Sequence, residues 1–217
     1  MSNILKLVRM DRALIKPYNK YFLVVLLAPL IVVYSFKEFI PGIVFCMVMV
    51  SMTSIYTFTI AEKNDLNRLY GLLPVNKSDI VLGRYLFTAI LGLAGAIVSV
   101  AVNSIILILF KVSFTLEDIL YGLGVGLILY FFFTAVQLPG YFKLGAIKGR
   151  FFSFIPLLGL FFMGELVKAL NVGDSPGYTV EVLNNPYGML VCSVLLCVAL
   201  YGISIGITQK LYNNMEL

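Results

Sequence analysis

The chain has 217 residues, of which 60% are hydrophobic and only 12% charged, with a net charge of +5 and a mean hydropathy of +0.98. A soluble domain carries charge on about a quarter of its residues, so this composition excludes one and points to an integral membrane protein. There is no histidine and no G-x-x-x-x-G-K-[ST] run, which excludes a histidine metal ligand or base and a P-loop phosphate cradle.

Residues 1–20 carry Lys6, Arg9, Arg12, Lys16 and Lys20 on one helical face, with Ile4, Leu7, Val8, Leu14 and Ile15 off it. The spread of basic residues does not fit a secretory signal. The segment is either an interfacial helix resting on the anionic inner leaflet or a simple positive-inside anchor, and both place the N-terminus in the cytosol.

Hydropathy then predicts six spans: Tyr21–Phe36, kinked near Pro29, then Ile43–Ile60, Leu86–Phe110, Ile119–Leu138, Phe151–Leu170 and Tyr187–Thr208. Six helices of about 20 residues use roughly 120 positions. The expectation is therefore an all-α membrane protein, one transmembrane domain over 1–217, with no folded domain outside the bilayer. Short outer turns are expected at Lys37–Gly42 and Lys111–Asp118. Thirteen of the sixteen Lys and Arg fall on the side that holds both termini, and this bias puts that side in the cytosol.

The longest polar interruption is residues 62–85, with Glu62, Lys63, Asp65, Arg68, Lys77, Asp79 and Arg84 as its charges. Leu66, Leu69, Tyr70 and Leu73 fall at i, i+3, i+4 and i+7, one apolar stripe on a short helix. Asn64 is expected to cap its first turn and Pro74 to end it. Ser78 and Asp79 signal the start of the next helix.

In the third span Thr88, Gly92, Gly95, Ser99 and Asn103 form a stripe of small and polar residues, and Gly122, Gly124 and Gly126 cluster in the fourth. Such stripes let helices approach closely, so static packing is favoured over a moving contact or cavity wall. Glu165 and Lys168 share a face of the fifth span, where they serve either as an interfacial anchor or, together with Asn103, as candidate pathway residues. Residues 171–186 form the longest outer loop. Cys46, Cys192 and Cys197 lie in apolar runs and are assigned no disulfide and no metal.

Glu62-Lys63-Asn64, Leu69-Tyr70, Leu72-Leu73-Pro74-Val75, Ile80-Val81 and Arg84-Tyr85 together resemble the first cytosolic loop of the type-2 permeases of ATP-binding cassette (ABC) exporters. In that family this loop holds a coupling helix seated against the ATPase. The resemblance implies coupling roles for Glu62, Lys63, Asn64, Leu66, Arg68, Leu69, Tyr70, Leu73 and Pro74. It implies an ABC ATPase subunit as partner, with ATP and Mg bound there and no cofactor on this chain, and a second permease copy or a related permease. Membrane lipids are the remaining partners, and no nucleic acid is expected. It also implies an interfacial helix before the first span, a re-entrant gate within 171–186, and a bacterial cytoplasmic membrane. The implied activity is export of amphipathic or antimicrobial peptides, similar to the phenol-soluble-modulin exporters. Lipid, drug or bacteriocin-immunity transport fits as well, and outside transport a non-transporting immunity or scaffold protein and an ATP-independent channel are the alternatives.

Overall fold

The structure is a computed structural model in which residues 3–16, 29–66, 75–159, 161 and 186–213 are described. Among them every regular element is a helix: α1 (Asn3–Ile15), α2 (Pro29–Phe36), α3 (Phe39–Met52), α4 (Ile55–Lys63), α5 (Lys77–Leu109), α6 (Leu116–Lys148), α7 (Arg150–Ser153) and α8 (Pro186–Asn213). Four stretches are long and apolar enough to cross a membrane: Phe39–Lys63, which joins α3 to α4, and α5, α6 and α8. They coincide with the second, third, fourth and sixth predicted spans. Residues 21–28 of the first, 160 and 162–170 of the fifth, and 171–185 of the outer loop lie outside the described residues.

The helices run past the limits that hydropathy sets. α5 begins at Lys77 rather than Leu86, with Asn76 rather than Ser78 at its N-cap and Asp79 in its first turn. α4 reaches Lys63, so Glu62, Lys63 and residues 77–85, read from hydropathy as loop, are helical. α6 continues through Pro139 to Lys148. Hydropathy marks where the hydrocarbon ends, whereas a helix continues as long as its backbone bonds are made. At 1.5 Å per residue the 33-residue α5 is about 50 Å long and α6 about 43 Å up to Gly145, against a hydrocarbon core of about 30 Å.

The turns at the opposite end are tighter than predicted. The first is only Lys37 and Glu38 before α3 starts, and it closes with Lys37 at φ 53°. Pro41 sits in the first turn of α3, where its missing N–H costs no intrahelical bond. The second turn passes through Lys111 at φ 56° and ends in a reciprocal cap. Thr115 N–H donates to Asp118 Oδ2 at 2.8 Å, and Asp118 N–H to Thr115 Oγ1 at 3.3 Å.

Between α3 and α4 the helix is interrupted at Thr53–Ser54. The hydroxyls of Ser51, Thr53 and Thr57 each donate to the carbonyl three residues back, at 2.7, 2.6 and 2.8 Å. Such bonds compete with the helical ladder and bend it. Here Thr53, Ser54 and Tyr56 N–H also donate three residues back.

The small-residue stripe packs against neighbouring helices. Gly92 lies under the Tyr130 ring of α6 and Gly95 against Val50 of α3, while Gly122 and Gly126 meet Ile43 and Met47. A hydroxyl network then ties α5, α6 and α8 together. Tyr85 Oη pairs with Ser204 Oγ at 2.6 Å and Thr208 Oγ1 at 2.7 Å. Tyr130 Oη donates to Thr88 O at 2.7 Å, and Thr134 Oγ1 pairs with Tyr201 Oη at 3.0 Å. In an apolar medium each of these polar groups needs such a partner.

Candidate coupling face

At one end of the bundle α4, α5, α6 and α8 converge with α1, around a core that includes Leu7, Phe58, Leu66, Tyr85, Tyr141 and Tyr212. α1 is held there by its apolar face. Leu7, Asp11 and Ile15 are buried, while Lys6, Arg9, Arg12 and Lys16 are exposed. Gly83 admits the helix closely, since a Cβ there would stand 3.1 Å from Leu7 Cβ.

Asp11 is the unexpected member of this face. Its Oδ2 lies 3.3 Å from Arg84 Nε, and the two side chains are 2% and 4% exposed. The Arg84 guanidinium also stacks over the Phe58 ring at 5.0 Å. Desolvation raises the Asp11 carboxyl above its ordinary range, and Arg84 pulls it back in part. Sequence reasoning passed over this pair. The available signal was one acid at i+4 from Leu7 and i−4 from Ile15, in the middle of an otherwise apolar stripe.

A second tie joins α4 to α6. Gly145 interrupts α6 at φ 74°, ψ 179°, a region open to essentially glycine alone. The break frees the following amides, and Glu62 takes them. Its Oε2 accepts from Ala146 N–H at 2.7 Å and from Ile147 N–H at 3.2 Å. A carboxylate on freed amides is favoured by the same dipole that favours acids at helix starts. Gly149 N–H then donates to Gly145 O at 3.0 Å, and a Cβ on Gly149 would run into that same oxygen. Lys77 Nζ donates to Asn213 O at 3.4 Å, bringing the start of α5 to the end of α8. Between these ties lies a cleft of about 270 Å³, lined among others by Glu62, Arg84, Tyr141, Lys143 and Gly145.

Four of the predicted coupling residues fall on this face. Glu62 is half-buried in the tie described, and Lys63 is exposed. Asn64 closes the preceding helix, its Nδ2 donating to Ile60 O at 2.9 Å; the helix it is expected to cap lies largely outside the described residues. Leu66 is buried in the bundle core, so the first residue of the apolar stripe anchors the connection to its own chain. Arg68, Leu69, Tyr70, Leu73 and Pro74 lie outside the described residues, as do Glu165 and Lys168. Asn103 is fully buried, its Nδ2 donating to Ser99 O at 2.7 Å and its Oδ1 facing Gly42 of α3. It sits in a helix contact, with no partner for Oδ1 among the described residues. Among those residues no group of acids, histidines or cysteines could hold a metal ion.

In comparisons with known proteins, the family described as ABC-2 family transporter protein matches residues 6–213. No curated protein and no solved structure matches the chain.

Proposed function

Because the chain belongs to the ABC-2 family of transporter proteins, the membrane permease subunits of ABC transporters, we propose that it is an export permease driven by ATP hydrolysis in a separate ATPase subunit. The face built by α1, α4, α5 and the Gly145 break of α6 is the one that ATPase contacts, and it lies in the cytosol with both termini. Two permeases, identical or related, enclose the path between them in a bacterial cytoplasmic membrane. ATP and Mg belong to the partner.

The observation that carries the coupling assignment is the tie from Glu62 to the amides of Ala146 and Ile147. A push on the connection after α4 is passed through that carboxylate to the end of α6, so two spans respond to one contact. With Leu66 turned inward, the surface offered to the ATPase is the polar side, where Lys63 and Asn64 are exposed and to which we assign Arg68. Leu69, Tyr70, Leu73 and Pro74 are assigned coupling roles with it, a reading supported by the loop resemblance. Glu165 and Lys168 contact cargo near the outer end, and Asn103 joins the path when its contact with Gly42 opens. The cargo is an amphipathic or antimicrobial peptide, a reading supported by the loop resemblance.

Purification from native membranes tests the partner: a chain bearing a P-loop should accompany this one, and Lys63→Glu with Arg68→Glu should release it while insertion is unchanged. Absence of any such chain would leave a scaffold or channel instead. ATP hydrolysis by the reconstituted complex should rise with amphipathic peptides. Equal rates with peptides, lipids and drugs would rule out the peptide assignment.

A further inference from the structure

Beside the docked α1 lies a cleft of about 680 Å³ between that helix and α5. Its rim carries Arg9, Arg12 and Lys16, all exposed. The one acid of α1, Asp11, is turned away and buried against Arg84, so nothing on that helix neutralises the rim. Below it the wall is apolar, formed by Phe87, Leu91 and Ala94 of α5. Those three positions descend about 10 Å along the helix, at 1.5 Å per residue. Neighbouring Ile90 and Ile97 are 47% and 72% exposed, which marks this side of α5 as one that meets acyl chains.

Cations above a hydrocarbon wall, at the level where an amphipathic helix meets a membrane span, complement one ligand chemistry. We propose that this cleft holds a single anionic phospholipid, its phosphate bound by Arg9, Arg12 and Lys16 and one acyl chain laid against Phe87, Leu91 and Ala94. Phosphate oxygens take several charge-assisted donors at once, and basic groups at a leaflet surface attract acidic headgroups. Free phosphate or an acidic protein segment would satisfy the rim and leave the wall bare. A zwitterionic lipid would cover the wall and gain little at the rim. α1 is thus clamped from both sides, by Asp11 on Arg84 within the protein and by a lipid headgroup outside it.

The test uses the full chain reconstituted in nanodiscs of mixed phosphatidylglycerol and phosphatidylcholine, released into detergent and weighed by native mass spectrometry. One phosphatidylglycerol should be retained in preference to phosphatidylcholine. Arg9→Gln with Arg12→Gln should lower that retention roughly 30-fold, two surface cations at about 1 kcal/mol each. Lys6→Gln, on the same helix and away from the cleft, should leave it unchanged, and Ala94→Phe, which fills the wall, should lower it with every cation in place. Equal retention of the two lipids would overturn the proposal. So would loss on charge removal without loss in Ala94→Phe, equal loss in Lys6→Gln, or displacement of the lipid by a soluble polyglutamate peptide. Helicity measured by circular dichroism shows that each variant is folded, which the exposure of Arg9, Arg12 and Ala94 leads us to expect.

Discussion

Replacing Asp11 by leucine removes one half of a buried ion pair and leaves the Arg84 guanidinium in a site where it is 4% exposed. Removing one partner of such a pair costs about 3–5 kcal/mol, because the remaining charge keeps its desolvation penalty and loses its compensation. Arg84→Met alone should cost a similar amount, since it strands the carboxylate and also gives up the stack on Phe58. The double variant Asp11→Leu, Arg84→Met leaves no buried charge. It should lie within about 1 kcal/mol of the parent, or above it. The cycle therefore predicts a double cost at least about 5 kcal/mol below the sum of the singles. Reversible unfolding in mixed micelles, followed by far-ultraviolet circular dichroism, measures all four corners. Additive costs would show that the two side chains are independent and that Asp11 does not hold α1. The pair also sets a pH signature. The Asp11 carboxyl titrates above its ordinary value of 3.8 in the folded chain, so between those two values the folded state binds more protons than the unfolded one. Stability then falls as pH rises through that window, and Asp11→Asn should remove this slope.

Gly145→Ala forces a side chain into backbone geometry that only glycine adopts readily. It should cost about 1–3 kcal/mol although the site has room for a Cβ, with contacts no closer than 3.4 Å; a thermal shift assay checks it. Glu62→Ala leaves the buried Ala146 amide without its acceptor and should cost about 1–3 kcal/mol, with faster hydrogen exchange at that amide. Glu62→Gln keeps an oxygen in place and should cost less than half as much. In the reconstituted complex both Glu62 variants should lower cargo-stimulated ATP hydrolysis more than basal hydrolysis. Gly92→Ala drives a methyl into the Tyr130 ring; overpacking of this kind costs about 1–3 kcal/mol, read as a lower unfolding midpoint, while Gly202→Ala, with open space at its Cβ, should be neutral.

The parts of this fold legible in the sequence were those written in periodicity. Apolar runs gave the positions of α3 through α6 and α8. The spacing from Thr88 to Asn103 gave a close helix contact, because small residues at steps of three and four have little other use in a membrane span. Helix ends were less legible, since a hydropathy limit and the last hydrogen bond are different things. Lys77 and Asp79 belong to a helix for reasons of backbone bonding that their charge obscures. The candidate coupling face was legible only in part. Glu62 stood out as a charge, but its partners are the amides of Ala146 and Ile147, and no side-chain pattern announces a backbone partner more than eighty residues away. Gly145 is one glycine among 18, and its role rests on a dihedral angle. Asp11 was the exception, readable as an acid in the middle of an apolar stripe.

The hydroxyl pins on α5 sit at Tyr85 and Thr88, about 12–17 Å from its first residue and over 30 Å from Leu109, by the helical rise. Three long rods fastened to one another that far off centre act as unequal levers. A shift of one ångström at the short arm, where Lys77 meets Asn213, becomes roughly two at the distant tip by the same geometry. In the orientation proposed above, small strokes at the Lys77 end of α5 would be enlarged at its Leu109 end.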